Sequence, residues 1–260
     1  MYKTTEITSA EIASDNPVHQ RLLFPYVEAA KMVSGKVLEI GCGWGRGTEL
    51  LTQAADHYTG IDKNGALIEA LQQQYPQSRF MQANIPPLAG PNGVPLPDNE
   101  FDYVVTFQVI EHIENDDLFV KEACRVLKPG GTLLLTTVNR LFSLTRNPWH
   151  VREYTADELK NLLRRHFPTV ATEGIHGNAK VMEYYEQNKA SVEKFTRFDI
   201  LNLQYRLPRW MLQIPYDILN RMNRNKLHEQ GGLAAEIHYT DYVRSQNPAG
   251  SLDFFYLAKK

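Results

Sequence analysis

The feature that most constrains the fold is a short apolar run that leads directly into alternate glycines, KVLEIGCGWGRG at residues 36–47. A run of this kind is typical of a buried parallel strand that opens into a tight loop and a helix. The dinucleotide pattern G-x-G-x-x-G fails in every frame, because its sixth position holds Arg46, Thr48 or Leu50. This spacing argues against NAD, whose pyrophosphate site uses that third glycine.

Strand and helix patterns alternate along the rest of the chain. Helical stretches such as TELLTQA and GALIEALQQQY separate apolar strand candidates, which are HYTGID, RFMQAN, FDYVVTFQVI, TLLLTTV and TVATEGI. This alternation predicts an α/β fold with a doubly wound, mostly parallel sheet and right-handed crossovers. The final segment, SLDFFYLAKK, is predicted to close the sheet as an edge strand.

Four segments are predicted. They are an N-terminal helical segment over 1–34, a core domain over 35–177, a helical insertion over 178–248 and a closing edge strand over 249–260. The N-terminal helix is expected near 19–33, with Pro17 close to its start. The insertion follows because about 70 residues separate the last two strands, where a hairpin needs only a few. Pro208 and Pro215 predict two or three short helices within it.

Residues 194–226 of the insertion mix basic and aromatic side chains, with five Arg and two Lys against Asp199 and Asp217. The favoured interpretation is a lid whose apolar stripe packs on the core while the basic residues face solvent. The alternative is a contact with a membrane surface or a hydrophobic substrate. Five aromatic residues are candidates for a wall around a planar or lipid-like acceptor: Tyr184, Tyr185, Phe198, Tyr205 and Trp210.

Asp62 ends the second predicted strand, 21 positions after Gly41. A carboxylate at this place can accept hydrogen bonds from both hydroxyls of an adenosine ribose. The glycine loop and the acid together therefore predict an adenosine ligand. The alternative is that the glycines only make a turn and that Asp62 caps the helix starting near Gly65.

Taken in order, these segments resemble the class I S-adenosylmethionine-dependent methyltransferases over roughly residues 35–177. VLEIGCGWG is similar to their first motif, GIDKN to the ribose-binding motif and RFMQANI to the adenine segment, while FDYVVTFQVIEHI and RVLKPGGTLLLTTVN resemble the fourth-strand and fifth-strand motifs. Within this family, the chain is similar to the small-molecule, quinone-precursor O-methyltransferase-like group. The resemblance implies a Rossmann-like, seven-stranded sheet with an antiparallel last strand, and S-adenosyl-L-methionine as the cofactor.

The resemblance also implies the cofactor contacts. Those to the methionine part are Glu39, Gly41, Cys42, Gly43 and Gly45; those to the ribose are Asp62 and Lys63; those to the adenine are Asn84 and Ile85; and Gln108 lies beside the methyl-bearing sulfonium. Many members of the family have aspartate where this chain has Asn84. An amide can still pair with the adenine amino group, so the cofactor prediction stands.

Glu111 and His112, in the segment IEHI after the fourth strand, are the candidates for base chemistry. Histidine can exchange protons near neutral pH and glutamate can orient it. The alternative is that His112 only satisfies backbone groups. Some members carry E-x-x-E-H, which recruits a divalent metal; here Gln108 replaces the first carboxylate, so no metal is expected and chelation would test this.

The segment WHVREYT, residues 149–155, resembles the one that lines the acceptor pocket in small-molecule methyltransferases. Trp149, His150, Arg152 and Tyr154 are therefore candidate acceptor contacts. Thr155 with Glu158 predicts a capping box for the next helix. The alternative is a structural loop anchored by the packing of Trp149.

The composition and the first residues bear on which partners the protein binds and where in the cell it is found. A formal net charge of -2 over 260 residues gives no basic field for nucleic-acid phosphates, so no nucleic-acid partner is expected. The first residues lack a signal-peptide pattern and no apolar run could span a bilayer, so a cytoplasmic location is expected. Cys42 and Cys124 have no zinc or disulfide spacing.

The sequence therefore predicts a methyltransferase that acts on oxygen or nitrogen of a small metabolite, a hydrophobic one included. Three other classes stay open. They are a catalytically silent cofactor-binding or membrane-associated module, a nicotinamide-dependent oxidoreductase, which the glycine spacing disfavours, and an RNA methyltransferase, although QVIEH stands where a flipped base would need an N-P-P-Y-type segment. The oligomeric state is open.

Overall fold

The computed structural model describes residues 8, 12–197, 199, 201–229 and 232–260. One sheet contains eight strands: β1 (Lys36–Ile40), β2 (His57–Asp62), β3 (Arg79–Gln82), β4 (Phe101–Phe107), β5 (Leu127–Val138), β6 (Thr169–Gly177), β7 (Tyr242–Ser245) and β8 (Asp253–Lys259). Their order across the sheet is β3-β2-β1-β4-β5-β8-β6-β7. The α/β fold with a mostly parallel sheet is therefore confirmed.

The helices are α1 (Asn16–Ala30), α2 (Thr48–Ala54), α3 (Gly65–Gln74), α4 (Asp116–Val126), α5 (Ala156–Leu163), α6 (Ala179–Thr196), α7 (Leu203–Arg206), α8 (Arg209–Glu229) and α9 (Leu233–Glu236). The first helix begins with Pro17 in its first turn, as predicted. Thr155 and Glu158 form the predicted capping box at the start of α5. Among the described residues, no helix has the combination of length and apolar character needed to cross a bilayer.

The order of the strands reverses at β1. The chain runs outward through β2 and β3 on one side of β1, and then β4 returns to pair with β1 on its other side, all in parallel. In open parallel sheets a ligand cleft forms outside the carboxyl ends of the strands at such a point. The loops after β1, β2 and β4 all open there.

Successive residues of the central strands face two separate cores. Leu38, Val104 and Leu133 pack on the side of α4 and α5, while their neighbours Val105 and Leu134 pack on the side of α1, α2 and α3. Side chains alternate between the two faces of a strand, so a strand buried on both faces reads as a continuous apolar run. This explains the short apolar runs from which the strands were predicted.

The predicted edge position of the last strand is wrong. β8 lies inside the sheet, antiparallel to both β5 and β6, and five of its seven residues are buried. Its antiparallel direction is confirmed. The segment FFYLA is apolar on both faces, which is the pattern of an interior strand, and a regular alternation is absent.

The predicted insertion is mostly helical, but it also contains β7, which pairs with β6 and raises the number of strands from seven to eight. Helix α8 passes through Pro215 without a break and is 21 residues long, so the prediction of only short helices is wrong there. Pro215 has no N–H to donate to the carbonyl of Met211, four residues earlier. Both residues are exposed, so water can reach that carbonyl.

The lid prediction is wrong about which side of the helix faces the core. The exposed residues of α8 between 210 and 222 are apolar, and its polar residues Asp217 and Asn223 are buried. Of the predicted aromatic wall, Phe198 lies outside the described residues. Tyr205 and Trp210 are exposed, and Tyr184 and Tyr185 pack against the core instead.

Candidate active site

The glycine loop and the end of β2 are joined through the carboxylate of Asp62. One carboxylate oxygen accepts from the backbone N–H of Gly43 (3.0 Å) and the other from that of Asn64 (2.9 Å). The cap of α3 is the side chain of Asn64, which accepts from Ala66 and Leu67, so the alternative role of Asp62 as the helix cap is wrong. Asp62 therefore stands at the cleft edge, as the adenosine prediction requires.

Two positions of the loop favour glycine for different reasons. A Cβ at Gly41 would lie 2.4 Å from a methyl carbon of Val109, so β1 and the loop after β4 approach each other too closely for alanine. Gly43 has a φ of +51° and nothing within 4 Å of its missing Cβ, so the backbone there faces open space. An open backbone beside Asp62 fits a ligand that is held against the loop, as S-adenosylmethionine would be.

Glu39 is buried beneath this loop. Its carboxylate accepts from the hydroxyl of Tyr26 (2.8 Å) and from that of Tyr58. Burial raises the pKa of Glu39, although the two tyrosine hydroxyls act in the opposite direction. Glu39 therefore links β1, just before the loop, to Tyr26 of α1 and Tyr58 of β2. Its contact with the methionine part of the cofactor stays a prediction.

This burial predicts a pH-dependent stability. Because the pKa of Glu39 is raised in the folded protein, its contribution favours folding at low pH and is lost as the pH rises from the ordinary glutamate value of 4.5 through the raised value. We therefore expect Glu39→Gln to gain stability relative to the wild type as the pH is raised towards 8. Urea unfolding over this range measures the difference.

The matched control is Glu69→Gln, which removes one exposed negative charge from α3. A stability difference between Glu39→Gln and the wild type that does not change with pH would contradict the expectation.

The other predicted adenosine contacts lie at the same edge. The backbone N–H of Ala83 donates to the carbonyl of Asp62 (2.9 Å), which brings the exposed Asn84 next to the end of β2. Ile85 is half-buried against the core, and Lys63 is exposed. Cys42 is buried, and its backbone N–H donates to the carbonyl of Ile61 (3.1 Å).

Gln108 follows β4 in a left-handed backbone conformation, with a φ of +56°. Its side-chain amide donates to Asp253 (3.2 Å) at the start of β8, and Arg21 of α1 donates to the same carboxylate (2.8 Å). Arg21 and Asp253 were not among the site residues predicted from the sequence. The one available signal was an acid within the otherwise apolar segment LDFFYLA.

Glu111 and His112 lie in a short 3-10 turn after β4, and their environments differ. His112 is exposed, and its Nδ1 lies 3.1 Å from the carbonyl of Trp149. Glu111 is buried and accepts from Thr137 (3.0 Å), and burial raises its pKa while His112 and His150 lower it. The group that orients His112 is therefore the Trp149 carbonyl, whereas sequence analysis assigned this role to Glu111.

The predicted acceptor segment separates into two parts. The ring centroids of His150 and His112 are 5.0 Å apart, and Nδ1 of His150 is 2.7 Å from a carboxylate oxygen of Glu153. Arg152 and Tyr154 instead point to Asp116 at the start of α4, and Tyr154 is buried. The structure therefore brings His150 to the candidate site, and it favours a structural role for Arg152 and Tyr154.

Glu111, His112 and His150 are the described residues that could hold a metal ion, since their ligand atoms lie within 4.8 Å of one another. Two imidazoles and a carboxylate are ligands that suit several divalent transition metals. However, both ring nitrogens of His150 already have protein partners, Glu153 at 2.7 Å and Asn147 at 2.9 Å. The prediction of no metal stays a prediction.

Comparison with known proteins decides the family. Residues 38–135 match the family described as "Methyltransferase domain". A protein of Mycolicibacterium smegmatis named "Probable S-adenosylmethionine-dependent methyltransferase" is 36% identical over 73% of this chain and 74% of its own length. The chain belongs to the S-adenosylmethionine-dependent methyltransferases. The cofactor prediction is thereby confirmed, and the nicotinamide alternative is set aside.

The alignments with two other relatives cover a smaller part of this chain. A protein of the same printed name from Mycobacterium tuberculosis is 40% identical over 56% of this chain, which spans about half of that relative's length (51%). The "Ubiquinone biosynthesis O-methyltransferase" of Psychrobacter arcticus is 28% identical over 65% of this chain and 62% of its own length.

Solved structures confirm the fold. A Thermotoga maritima protein described as an S-adenosylmethionine-dependent methyltransferase and possible histamine N-methyltransferase has a TM-score of 0.59 at 15% identity, over 94% of this chain and 92% of its own. The [4+2]-cyclase SpnF has a TM-score of 0.54 at 18% identity, over 92% and 81% of the two chains. Because one of these is named as a cyclase, fold alone does not define the reaction.

Proposed function

We propose that this methyltransferase methylates a hydroxyl oxygen of a small, hydrophobic acceptor, with His112 as the general base. The observation that carries the proposal is the exposed imidazole of His112 at the carboxyl edge of the sheet. The carbonyl of Trp149 can only accept, so the proton lies on Nδ1 of the neutral ring and Nε2 is left as the proton acceptor.

S-adenosylmethionine, when bound, supplies a methyl group already activated on a sulfonium, so no covalent enzyme intermediate is needed. Asp62 and the open backbone at Gly43 would hold the adenosine and methionine parts. His112 would take the proton of the acceptor hydroxyl at Nε2. His150 would hold the neighbouring wall of the site in place through its contact with Glu153.

Two exposed apolar side chains at the carboxyl edge support a hydrophobic acceptor. Trp44 in the glycine loop is 63% exposed, and Leu141 in the turn after β5 is 75% exposed. The printed name of the Psychrobacter relative supports transfer to oxygen on a small molecule. A net charge of -2 supports a small acceptor over a nucleic acid.

The proposal predicts which acceptors turn over. We expect S-adenosylhomocysteine to form with phenols and catechols but not with the matching amines. Each methylene of an alkyl substituent that becomes buried is expected to raise kcat/KM roughly fourfold, since it contributes about 0.8 kcal/mol. An acceptor series of increasing chain length, assayed for S-adenosylhomocysteine, measures both expectations.

Thermal unfolding with S-adenosylhomocysteine and with NAD is the control for the cofactor site. At about 100 times its dissociation constant a ligand stabilises the folded state by about 2.7 kcal/mol, which raises the Tm by several degrees. Turnover of amines alone would contradict transfer to oxygen. Stabilisation by S-adenosylhomocysteine without turnover of any acceptor would favour the silent module. The cytoplasmic location stays a prediction that cell fractionation would check.

A further inference from the structure

A helix packed on a domain usually turns its apolar side to the core, whereas α8 exposes most of its large apolar side chains. Six large apolar side chains on its outer side are 44 to 72% exposed: Trp210, Met211, Ile214, Ile218, Leu219 and Met222. At 100° per residue they fall within about half of the helix circumference, so they form one face. We call these six residues the outer face of α8. A group of neighbouring apolar side chains that all stay exposed marks an interaction site.

Polar residues of α8 outside these six tie the helix to the domain. Arg221 and Arg224 both pair with the fully buried Asp15, at 2.7 and 3.0 Å. Arg209 pairs with Glu114 (3.3 Å), and the side-chain amide of Asn223 donates to Asn188. These contacts hold the helix in its orientation, because rolling it inward would leave Asp15 buried without its cationic partners.

The helix is also attached to the candidate acceptor segment. Arg209 donates to the carbonyl of His150 (3.3 Å), and the indole N–H of Trp149 donates to Asp217 (3.4 Å). Trp149 is the residue whose carbonyl orients His112. The outer face therefore lies on an element that contacts the candidate active site directly.

We propose that the outer face of α8 docks on the surface of an anionic lipid bilayer. Two exposed cations stand at the ends of the face and favour this occupant, Arg206 just before the helix and Lys226 near its end; the exposed acid in line with the face is Glu229, the last residue of α8. Cations beside an apolar helical face are attracted to anionic headgroups, and Trp210 is an aromatic residue of the kind that favours the headgroup region.

A second copy of the chain fits this surface less well. In an antiparallel pair of α8 helices, Arg206 of one copy would approach Lys226 of the other, and like charges facing each other oppose association. A bilayer instead supplies anionic groups to both ends at once. A bilayer would also be a natural source of a hydrophobic acceptor; that consequence rests on the proposed function, whereas the docking itself does not.

Vesicle cosedimentation tests the docking with the chain of 260 residues. We expect it to bind vesicles of phosphatidylcholine that contain about one third phosphatidylglycerol at low salt, and to bind pure phosphatidylcholine weakly. Combining Trp210→Ser, Ile214→Ser and Ile218→Ser should lower the partition coefficient by about tenfold or more. Combining Arg206→Glu and Lys226→Glu should remove the preference for the anionic lipid.

The matched control is Val94→Ser with Val243→Ser, which removes two apolar side chains that are 67 and 57% exposed elsewhere. It should bind vesicles like the wild type. In every variant, a Tm shift with S-adenosylhomocysteine shows that the fold and the cofactor site are intact. This measurement also separates failure of the docking from failure of the proposed function.

Three results would overturn the proposal. One is a wild-type protein that does not bind anionic vesicles, and another is equal binding by the wild type and the triple serine variant. The third is a wild-type dimer in light scattering that the triple variant converts to a monomer, with no vesicle binding by either, because the outer face would then be a contact between copies of this chain.

Discussion

His112→Asn is expected to lower kcat for a phenolic acceptor by about 10²- to 10⁴-fold, while the affinity for S-adenosylhomocysteine stays unchanged. This is the range that a positioned general base contributes. Asparagine can still donate to the carbonyl of Trp149, as Nδ1 of His112 does, but it cannot take a proton from the acceptor. Steady-state kinetics and a titration with S-adenosylhomocysteine measure the two quantities separately.

Acceptor acidity distinguishes a base from a structural residue. A nitrophenol that is already ionised at the assay pH needs no base, so the defect of His112→Asn should become much smaller with it. His57→Asn is the matched control, since His57 is exposed at the start of β2, at the other end of the strands. An equal defect with acidic and weakly acidic phenols would contradict the assignment, and loss of wild-type activity on chelation would assign His112 to a metal instead.

Asp62→Ala is expected to weaken the binding of S-adenosylhomocysteine by roughly 5- to 150-fold, which corresponds to about 1 to 3 kcal/mol. The substitution removes the acceptor for the ribose hydroxyls. It also frees the backbone N–H groups of Gly43 and Asn64, which both donate to this carboxylate, so the glycine loop loses its side-chain tie to β2 and keeps the backbone bonds of Gly41 and Cys42 to Ile61. Isothermal titration calorimetry measures the change.

Glu69→Ala, on the exposed side of α3, is the control for Asp62→Ala because it removes a carboxylate that does not face the loop. Asp62→Asn adds a second comparison, since its side-chain oxygen can still accept one of the two hydrogen bonds. Unchanged affinity in Asp62→Ala would mean that the adenosine lies elsewhere.

The glycine loop and Asp62 could be predicted because the interactions that place them are local. β1, the loop and β2 span fewer than 30 residues, and β1 and β2 are neighbours in the sheet. Parallel neighbours bring their carboxyl ends together, so a spacing along the chain translates directly into a distance in the fold. The same holds for Asn84, which follows the next strand along the edge.

The support of the site could not be predicted in this way. Arg21, Asp253 and Gln108 meet although 232 positions separate Arg21 from Asp253. Nothing in the local pattern around Arg21 distinguishes it from a solvent-exposed residue of an amphipathic helix. The N-terminal segment was predicted only as a helix, whereas α1 supplies Arg21 to this network and Tyr26 to Glu39.

Short segments of the chain were enough to predict the class of fold, an adenosine ligand and the edge of the sheet where it would bind, because strand and helix periodicity and the spacing of the glycines and Asp62 are local properties. The resemblance to a known family then implied S-adenosylmethionine. The position of β8 in the sheet, the side chains around His112 and the direction in which α8 faces depend on contacts between distant segments, so they follow from the fold alone. A periodic pattern shows that a helix has two unlike sides, but it does not show which one is covered. In α8 the orientation follows from Asp15, which lies about 200 residues earlier in the chain, is fully buried and binds Arg221 and Arg224.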